Sequence, residues 1–481
     1  MKKNILNFLA FQSMLSAMIC ITSCEKPESD DAQEQLSQIT EKAEIPLNEY
    51  EEILNEFIAK FDMTKEDADL FNSGILSSGL NGTGKSDKIS IAEIGVNYTS
   101  VDGNGNIDTI SGKIMFPVED GKCLFPKNSI GLKGLVISCH ATQPQSGSAG
   151  DFDMSKVGSA GLASIAGKGY LVFAPDYIGF GTSSNTMQTY LCQKLIARNC
   201  ADMIIPGLNA AMNATNAKGV SYGVSMVDNF GTYIIGYSQG GGNALALTRY
   251  LTIPYSEGGA PDEIKNVVRL KHSYCGSGPY NPPATFKYWL DKDTMTMSML
   301  FPMVVCGQKA GHPDIMGNTD PKSYFSQNFI NSGIPDGIIS MNGDMAASIT
   351  YDKTIGTMKP GKLFYAINPS YIMSEEAKNP ESDIRRRLQE CLDYEDVSSD
   401  WTPTTPITFF ASRVDQVVPA INTDSAYNAL SKKAEEGLVN KYVITNGDHI
   451  TGMLPYFNAI NRYDMLEGYN NIVGTLDNTE K

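Results

Sequence analysis

Gly236-Tyr237-Ser238-Gln239-Gly240 decides the fold, because it sits between an apolar run, Thr232-Tyr233-Ile234-Ile235, and a small-residue segment, Gly241 to Leu251, that reads as a helix. A serine forced into a tight strand-to-helix turn takes strained backbone angles and tolerates only neighbours without side chains, which is the work of the flanking glycines. Its hydroxyl then stands above the sheet as a nucleophile. The helix behind it aims its first amides and its dipole at the space where negative charge develops during acyl transfer.

A serine hydroxyl is a poor nucleophile until an imidazole removes its proton, and a carboxylate is needed to fix that imidazole's tautomer. Four histidines are available, His140, His272, His312 and His449. In the strand-to-helix context of this serine the acid and base follow it along the chain, which leaves the last three. Pro406 to Ala411 reads as a buried strand running into a turn that presents Asp415, and Lys441 to Thr445 reads as a second strand ending in Asn446-Gly447-Asp448-His449. Successive strand ends thus carry a candidate acid, Asp415, and a candidate base, His449. Asp448 competes as the acid, but residues adjacent in sequence usually point apart.

These segments resemble the α/β-hydrolase superfamily, and within it the exported lipase and esterase groups. Leu135-Val136-Ile137-Ser138-Cys139-His140 is similar to the strand that leads into the oxyanion loop, and Gly169 to Gly181, with its Pro175-Asp176-Tyr177 turn, to the strand after it. The likeness covers roughly residues 90 to 280 and 400 to 470. It implies an α/β fold with a mostly parallel, doubly wound sheet and an inserted helical cap, a Ser238, His449 and Asp415 triad, and an oxyanion hole formed by the backbone amides of Gln239 and Thr142. It implies hydrolysis of small-molecule or lipid carboxylic esters through an acyl-Ser238 intermediate, with no cofactor. The chain departs from the family at Ala141, where His-Gly-x is usual; alanine keeps the amide but restricts the turn. His140, placed before the serine, reads as a satisfied loop residue.

Met1-Lys2-Lys3, the apolar run Leu6 to Ile21 and Ile21-Thr22-Ser23-Cys24 match a bacterial lipoprotein signal, with Cys24 as the acylated first residue of the mature chain. The run is too short and interrupted to span a bilayer. The acidic, polar residues that follow read as a flexible tether, so the expected place of action is the bacterial envelope, at a membrane reached through the lipid. A net charge of -16 argues against nucleic acid, whose phosphates would be repelled. Of nine cysteines, seven remain once Cys20 leaves with the signal and Cys24 takes lipid. That odd number leaves a thiol free if bridges form within one chain, and buried free thiols at Cys139, Cys275 and Cys306 stand beside disulfides as readings. No CxxC pair or His/Cys cluster in the sequence suggests a metal.

Two further pattern matches lack their mechanism. Gly79 to Ser86 satisfies the phosphate-binding loop letter for letter, but a helix-like stretch precedes it and a strand-like one follows, the reverse of what cradles phosphate. Asp102-Gly103-Asn104-Gly105-Asn106 resembles a calcium loop, yet Ile107 and Lys113 stand where glycine and glutamate are required, so a hairpin turn is expected.

The organisation expected is a signal over 1–23, a tether over 24–45, the hydrolase domain over 46–281 and 401–481, and a cap inserted over 282–400, far longer than an ordinary connection. Within the cap, Phe286, Tyr288, Trp289, Met295, Met297, Met299, Leu300, Phe301 and Met303 read either as an adaptable acyl pocket or as the cap's own core, and Asp383 to Leu392 as a helix with a solvated basic face. A peptidase on the same fold, which needs paired acids for a substrate amino terminus, and a non-catalytic glycan- or protein-binding surface lipoprotein are the alternatives.

Overall fold

Long apolar runs flanked by glycine and proline build the sheet. Leu135 to Cys139 is buried throughout, as are Leu171–Pro175 and Ile407–Ser412, the pattern of parallel strands covered on both faces. The structure is a computed structural model that describes residues 38–60, 88–143, 153–291, 300–331, 335–336, 348–352, 357–361, 371–444 and 447–462. The signal, Cys24, most of the expected tether, the Gly79 to Ser86 stretch, and Met295, Met297 and Met299 lie outside the described residues.

The strands of the main sheet are β1 (Gln38–Pro46), β2 (Ser90–Val101), β3 (Ile107–Glu119), β4 (Lys122–Cys123), β5 (Leu132–Cys139), β6 (Leu171–Pro175), β7 (Met226–Tyr237) and β8 (Leu270–Gly276). After a separate hairpin, β9 (Ser348–Asp352) with β10 (Thr357–Gly361), the sheet resumes with β11 (Ile407–Ser412) and β12 (Val439–Ile444). The order across it is β1-β2-β3-β6-β5-β7-β8-β11-β12, with β4 paired to β3. Strands β6 to β12 along this path run parallel, whereas β1, β2, β3 and β4 pair antiparallel at one end. The chain passes from β5 to β6 on one side and returns to β7 on the other, so the carboxyl ends of β5 and β7 flank a topological switch point, where open α/β sheets bind ligands.

Helices follow in the order α1 (Leu47–Lys60), α2 (Asp153–Ala166), α3 (Gln193–Asp202), α4 (Ile204–Asn213), α5 (Gln239–Thr252) and α6 (Asp262–Val267). The inserted segment adds α7 (Pro282–Leu290), α8 (Leu300–Gly311), α9 (Pro313–Met316), α10 (Gln327–Asn331), α11 (Glu375–Lys378) and α12 (Asp383–Tyr394). After it come α13 (Ile421–Ser431) and α14 (Met453–Arg462). Because neighbouring residues of a strand point to opposite faces, Val136, Val172 and Ile235 enter a core with Ala163 of α2 and Leu454 of α14, whereas Leu135, Ile137, Phe173 and Ile234 enter another with Ile196 of α3 and Leu245 of α5.

Three expectations are refined. The tether ends earlier than residue 45, because Gln38–Pro46 pairs with β2 from Gln38 opposite Asn97 to Pro46 opposite Ser90. Its polar composition hid it: an edge strand draws its order from backbone hydrogen bonds and can solvate its charges, and Lys42 and Glu44 find partners in Thr215 and the Tyr222 hydroxyl, at 2.7 and 2.9 Å. The apolar cap residues Phe286, Trp289, Leu300, Phe301 and Met303 are buried in the same core cluster as Val136 and Ile235 of the sheet, with Phe286 stacked on Phe301. The basic face of α12 is only partly solvated: the Arg385 guanidinium lies 4.9 Å from the centre of the Phe286 ring, and Arg387 donates to the Ile315 carbonyl at 2.7 Å. Asp102 does make the expected hairpin turn, accepting from the backbone of Asn104 and Asn106 at 2.8 Å.

The β1 pairing separates two truncations. A chain beginning at Gln38 is expected to keep the thermal midpoint of the longer chain, whereas one beginning at Leu47 loses roughly 5 °C or more by baring the edge of β2. Equal midpoints in thermal denaturation followed by circular dichroism would show that β1 adds nothing.

Candidate active site

Ser238 follows β7 and caps α5 with φ 59° and ψ −127°, a strained conformation for a residue with a side chain. The turn exists because backbones come close on both sides of it. A Cβ on Gly236 would lie 2.1 Å from the Gly240 carbonyl oxygen, and a Cβ on Gly240 2.1 Å from that of Cys139 at the end of β5. The Ser238 amide donates to the Gly276 carbonyl at 2.9 Å, which fastens the turn to β8.

Ser238 Oγ lies 2.7 Å from His449 Nε2, and His449 Nδ1 lies 2.6 Å from Asp415 Oδ2. A carboxylate oxygen only accepts, so Nδ1 carries the imidazole proton and Nε2 is left to accept from the serine hydroxyl. The other Asp415 oxygen accepts from the backbone of Val417 and Val418 at 2.9 and 2.8 Å, which fixes the carboxylate. All three residues are buried. Asp448 turns elsewhere: its Oδ1 accepts from the Ile450 and Thr451 amides and the Thr451 hydroxyl, at 2.9 to 3.0 Å.

Two tyrosines hold this alignment and were not singled out from sequence. The Tyr237 hydroxyl donates to the His449 carbonyl at 2.9 Å. The Tyr456 hydroxyl, on α14, accepts from the Gly236 amide and donates to the Tyr274 carbonyl, both at 2.8 Å, bridging β7 to β8 just below the serine. Their only sequence signal is an aromatic residue inside the elbow and an amphipathic helix soon after His449.

Gln239 is the first residue of α5, so its amide is among those a helix leaves without an internal acceptor. Thr142 follows β5, with its hydroxyl 3.1 Å from that of Tyr190. The loop before it, lacking the usual glycine, is held by the His140 side chain: Nδ1 donates to the Ala141 carbonyl at 2.8 Å, the His140 carbonyl accepts from the Tyr177 hydroxyl at 3.0 Å, and the ring stacks on Tyr177. Burial pushes His140 down to about 4, which keeps the imidazole neutral. His272 is likewise neutral, pushed down to about 3 by burial, and pairs with the Thr408 hydroxyl at 2.8 Å. A mostly apolar cavity lies beside the elbow, lined by Met115, Leu162, Ile235, Met453 and Phe457 and also by Lys113 and Gln143; Ser238 and His449 do not line it.

No His/Cys cluster is visible in the sequence, but the fold brings a cysteine and a histidine together with a glutamate. Cys192, His312 and Glu395 are buried together, with their ligand atoms all within 4.8 Å of one another. They come from separate elements, so no spacing signals them. The seven cysteines among the described residues are all buried and unbridged.

No protein-family model matches the chain, and no curated protein matches it. Solved structures do. A protein proposed as a hydrolase from Legionella pneumophila subsp. pneumophila aligns with a TM-score of 0.60 at 15% identity, over 89% of this chain and 99% of that one. The rice cell wall degrading esterase LipA from Xanthomonas oryzae, in a ligand-bound form, aligns at 0.55 and 17% identity over 92% and 98%. Candida antarctica lipase A aligns at 0.50 and 12% over 86% and 78%. The fold is that of the α/β-hydrolases, and these bearers of it are described as a hydrolase, an esterase and a lipase.

Tyr456→Phe is expected to leave the buried Gly236 amide without its acceptor, lowering stability by about 1–3 kcal/mol. Chemical denaturation checks this, and an unchanged stability would remove Tyr456 from the role.

Proposed function

We propose that the protein is a serine hydrolase of carboxylic esters, of the esterase or lipase type, and that it works at a bacterial envelope membrane held by lipid on Cys24. The observation that carries the reading is the continuous hydrogen-bonded line from Ser238 Oγ through His449 to Asp415, at 2.7 and 2.6 Å. It is the arrangement needed to take a proton from a hydroxyl while that hydroxyl's oxygen attacks.

In the first half-reaction Ser238 Oγ attacks the ester carbonyl as its proton passes to His449 Nε2. Asp415 stabilises the imidazolium and keeps its ring oriented. The carbonyl oxygen gains charge beside the Gln239 amide at the start of α5, with the Thr142 amide assigned as the second donor. His449 then gives its proton to the departing alcohol, leaving an acyl-Ser238. In the second half His449 takes a proton from water, the hydroxide attacks the acyl group, and the acid leaves as His449 returns that proton to Ser238 Oγ. The mostly apolar cavity beside the elbow offers space to the acyl part of a substrate.

For the anchor, the residues between Cys24 and the first residue of β1, Gln38, are thirteen, enough to reach at most roughly 45 Å when extended. A lipid on Cys24 would thus leave the domain near the surface without pressing the site against it.

Hydrolysis of p-nitrophenyl esters from acetate to palmitate is expected to fall by roughly 10⁴-fold or more in Ser238→Ala and His449→Ala, with the preferred chain length separating esterase from lipase. Failure of the unmutated domain to turn over any ester would sink the reading. Expressed in a bacterium with lipoprotein processing, the chain is expected to take up labelled fatty acid and sediment with membranes; Cys24→Ala should lose both. Label that persists in Cys24→Ala places the lipid elsewhere.

A further inference from the structure

We propose that Cys192, His312 and Glu395 bind one divalent cation of the zinc type, clamping the inserted cap to the sheet domain. Cys192 immediately precedes α3 of the sheet domain, His312 lies between α8 and α9 of the cap, and Glu395 ends α12, where the cap rejoins the domain. A soft thiolate, an imidazole and a carboxylate are the three ligand types zinc takes from proteins.

Charge makes the first argument. Glu395 is fully buried at the carboxyl end of a helix, where unpaired carbonyls already concentrate partial negative charge. One of its oxygens accepts from the Lys194 amide at 2.7 Å, which orients the other toward His312 Nε2 at 2.8 Å. With Cys192 as thiolate and Glu395 as carboxylate the site carries two negative charges, so a divalent cation makes it neutral, the state a buried site favours. Without a cation the thiol donates to the Gly307 carbonyl at 3.4 Å.

Geometry makes the second. The cap helix comes so near that a Cβ on Gly311 would sit 2.3 Å from Cys192 Sγ, and one on Gly307 2.4 Å from the Tyr190 amide. Glycine at both positions lets α8 bring His312 down to the thiol. In a tetrahedral zinc centre a nitrogen and an oxygen ligand stand about 3.3 Å apart. Insertion therefore widens the 2.8 Å His312–Glu395 pair by about half an ångström and draws Sγ in. In that step the thiol proton leaves to solvent, the imidazole proton moves from Nε2 to Nδ1, and the metal gains bonds to Sγ, Nε2 and Oε1, with water in the fourth position. The same burial denies substrates access, so the trio is not a second nucleophilic centre.

Because the site is closed, the test unfolds the mature chain in chelator and refolds it with Zn²⁺ or Co²⁺ before removing free ion. The expected result is one metal per chain by mass spectrometry, a thiolate-to-cobalt charge-transfer band in the near ultraviolet, and a higher thermal midpoint than the metal-free protein. Cys192→Ser should refold, by circular dichroism, without the band. His312→Asn and Glu395→Gln should bind metal at least tenfold more weakly. Only trace metal in refolded wild-type protein overturns the proposal, as does stoichiometric Co²⁺ without a thiolate band or a band that survives in Cys192→Ser. Ester hydrolysis by Ser238 is assayed separately, so metal binding and ester turnover stand or fall independently.

Discussion

Everything at this site depends on how closely two backbones approach. The end of β5, the turn around Ser238 and the start of α5 meet at distances that Gly236 and Gly240 alone permit, since a single Cβ at either would fall about 2 Å from a carbonyl oxygen. The contact does more than expose a hydroxyl. Gln239 and Thr142 lie on its two sides, one on α5 and the other on the segment after β5, so its closeness determines whether their amides converge on one point. A side chain inserted there would part them as well as the serine from its sheet. The strain at Ser238 is thus held by the same packing that sets how near the Gln239 and Thr142 amides lie.

Much of this was legible because the chemistry sits where strands end. Ser238, Asp415 and His449 each follow an apolar run that reads as a strand, and a parallel sheet gathers such ends on one edge whatever their separation in the chain. Residues whose importance comes from tertiary contact left no such mark. Tyr456 is one aromatic residue among many on a helix, and only the pairing of β7 with β8 explains why its hydroxyl is needed there. Cys192, His312 and Glu395 meet through a cap whose packing sequence periodicity does not describe. Strand β1 escaped for another reason: the burial expected of a strand is absent at an edge, where hydrogen bonds to one neighbour suffice. Arg385 was read as solvated because a helical repeat shows a charge but not the ring it lies over.

The cap shares its apolar core with the sheet, and it also reaches Asp415 through one polar link. Trp289, on the first cap helix, donates its indole N–H to the Val417 carbonyl at 2.7 Å. Val417 is also one of the two residues whose amides hold Asp415. The carboxylate that orients His449 is therefore braced from the cap as well as from the sheet. A change in cap packing reaches the imidazole through this short chain of hydrogen bonds, without any cap residue entering the triad.

Strand β1 has a mechanical meaning as well. It is the first described segment of the chain and the outermost strand of the sheet, held by eight cross-strand pairs to β2. A pull on the amino terminus directed along the strand would load those pairs in shear together, whereas one directed across it would unzip them one after another. The force is spent at the margin of the sheet, with β2, β3, β6 and β5 standing between it and the strand that carries Ser238. The elbow around Ser238 thus stands four strands in from the margin where such a load would first be felt.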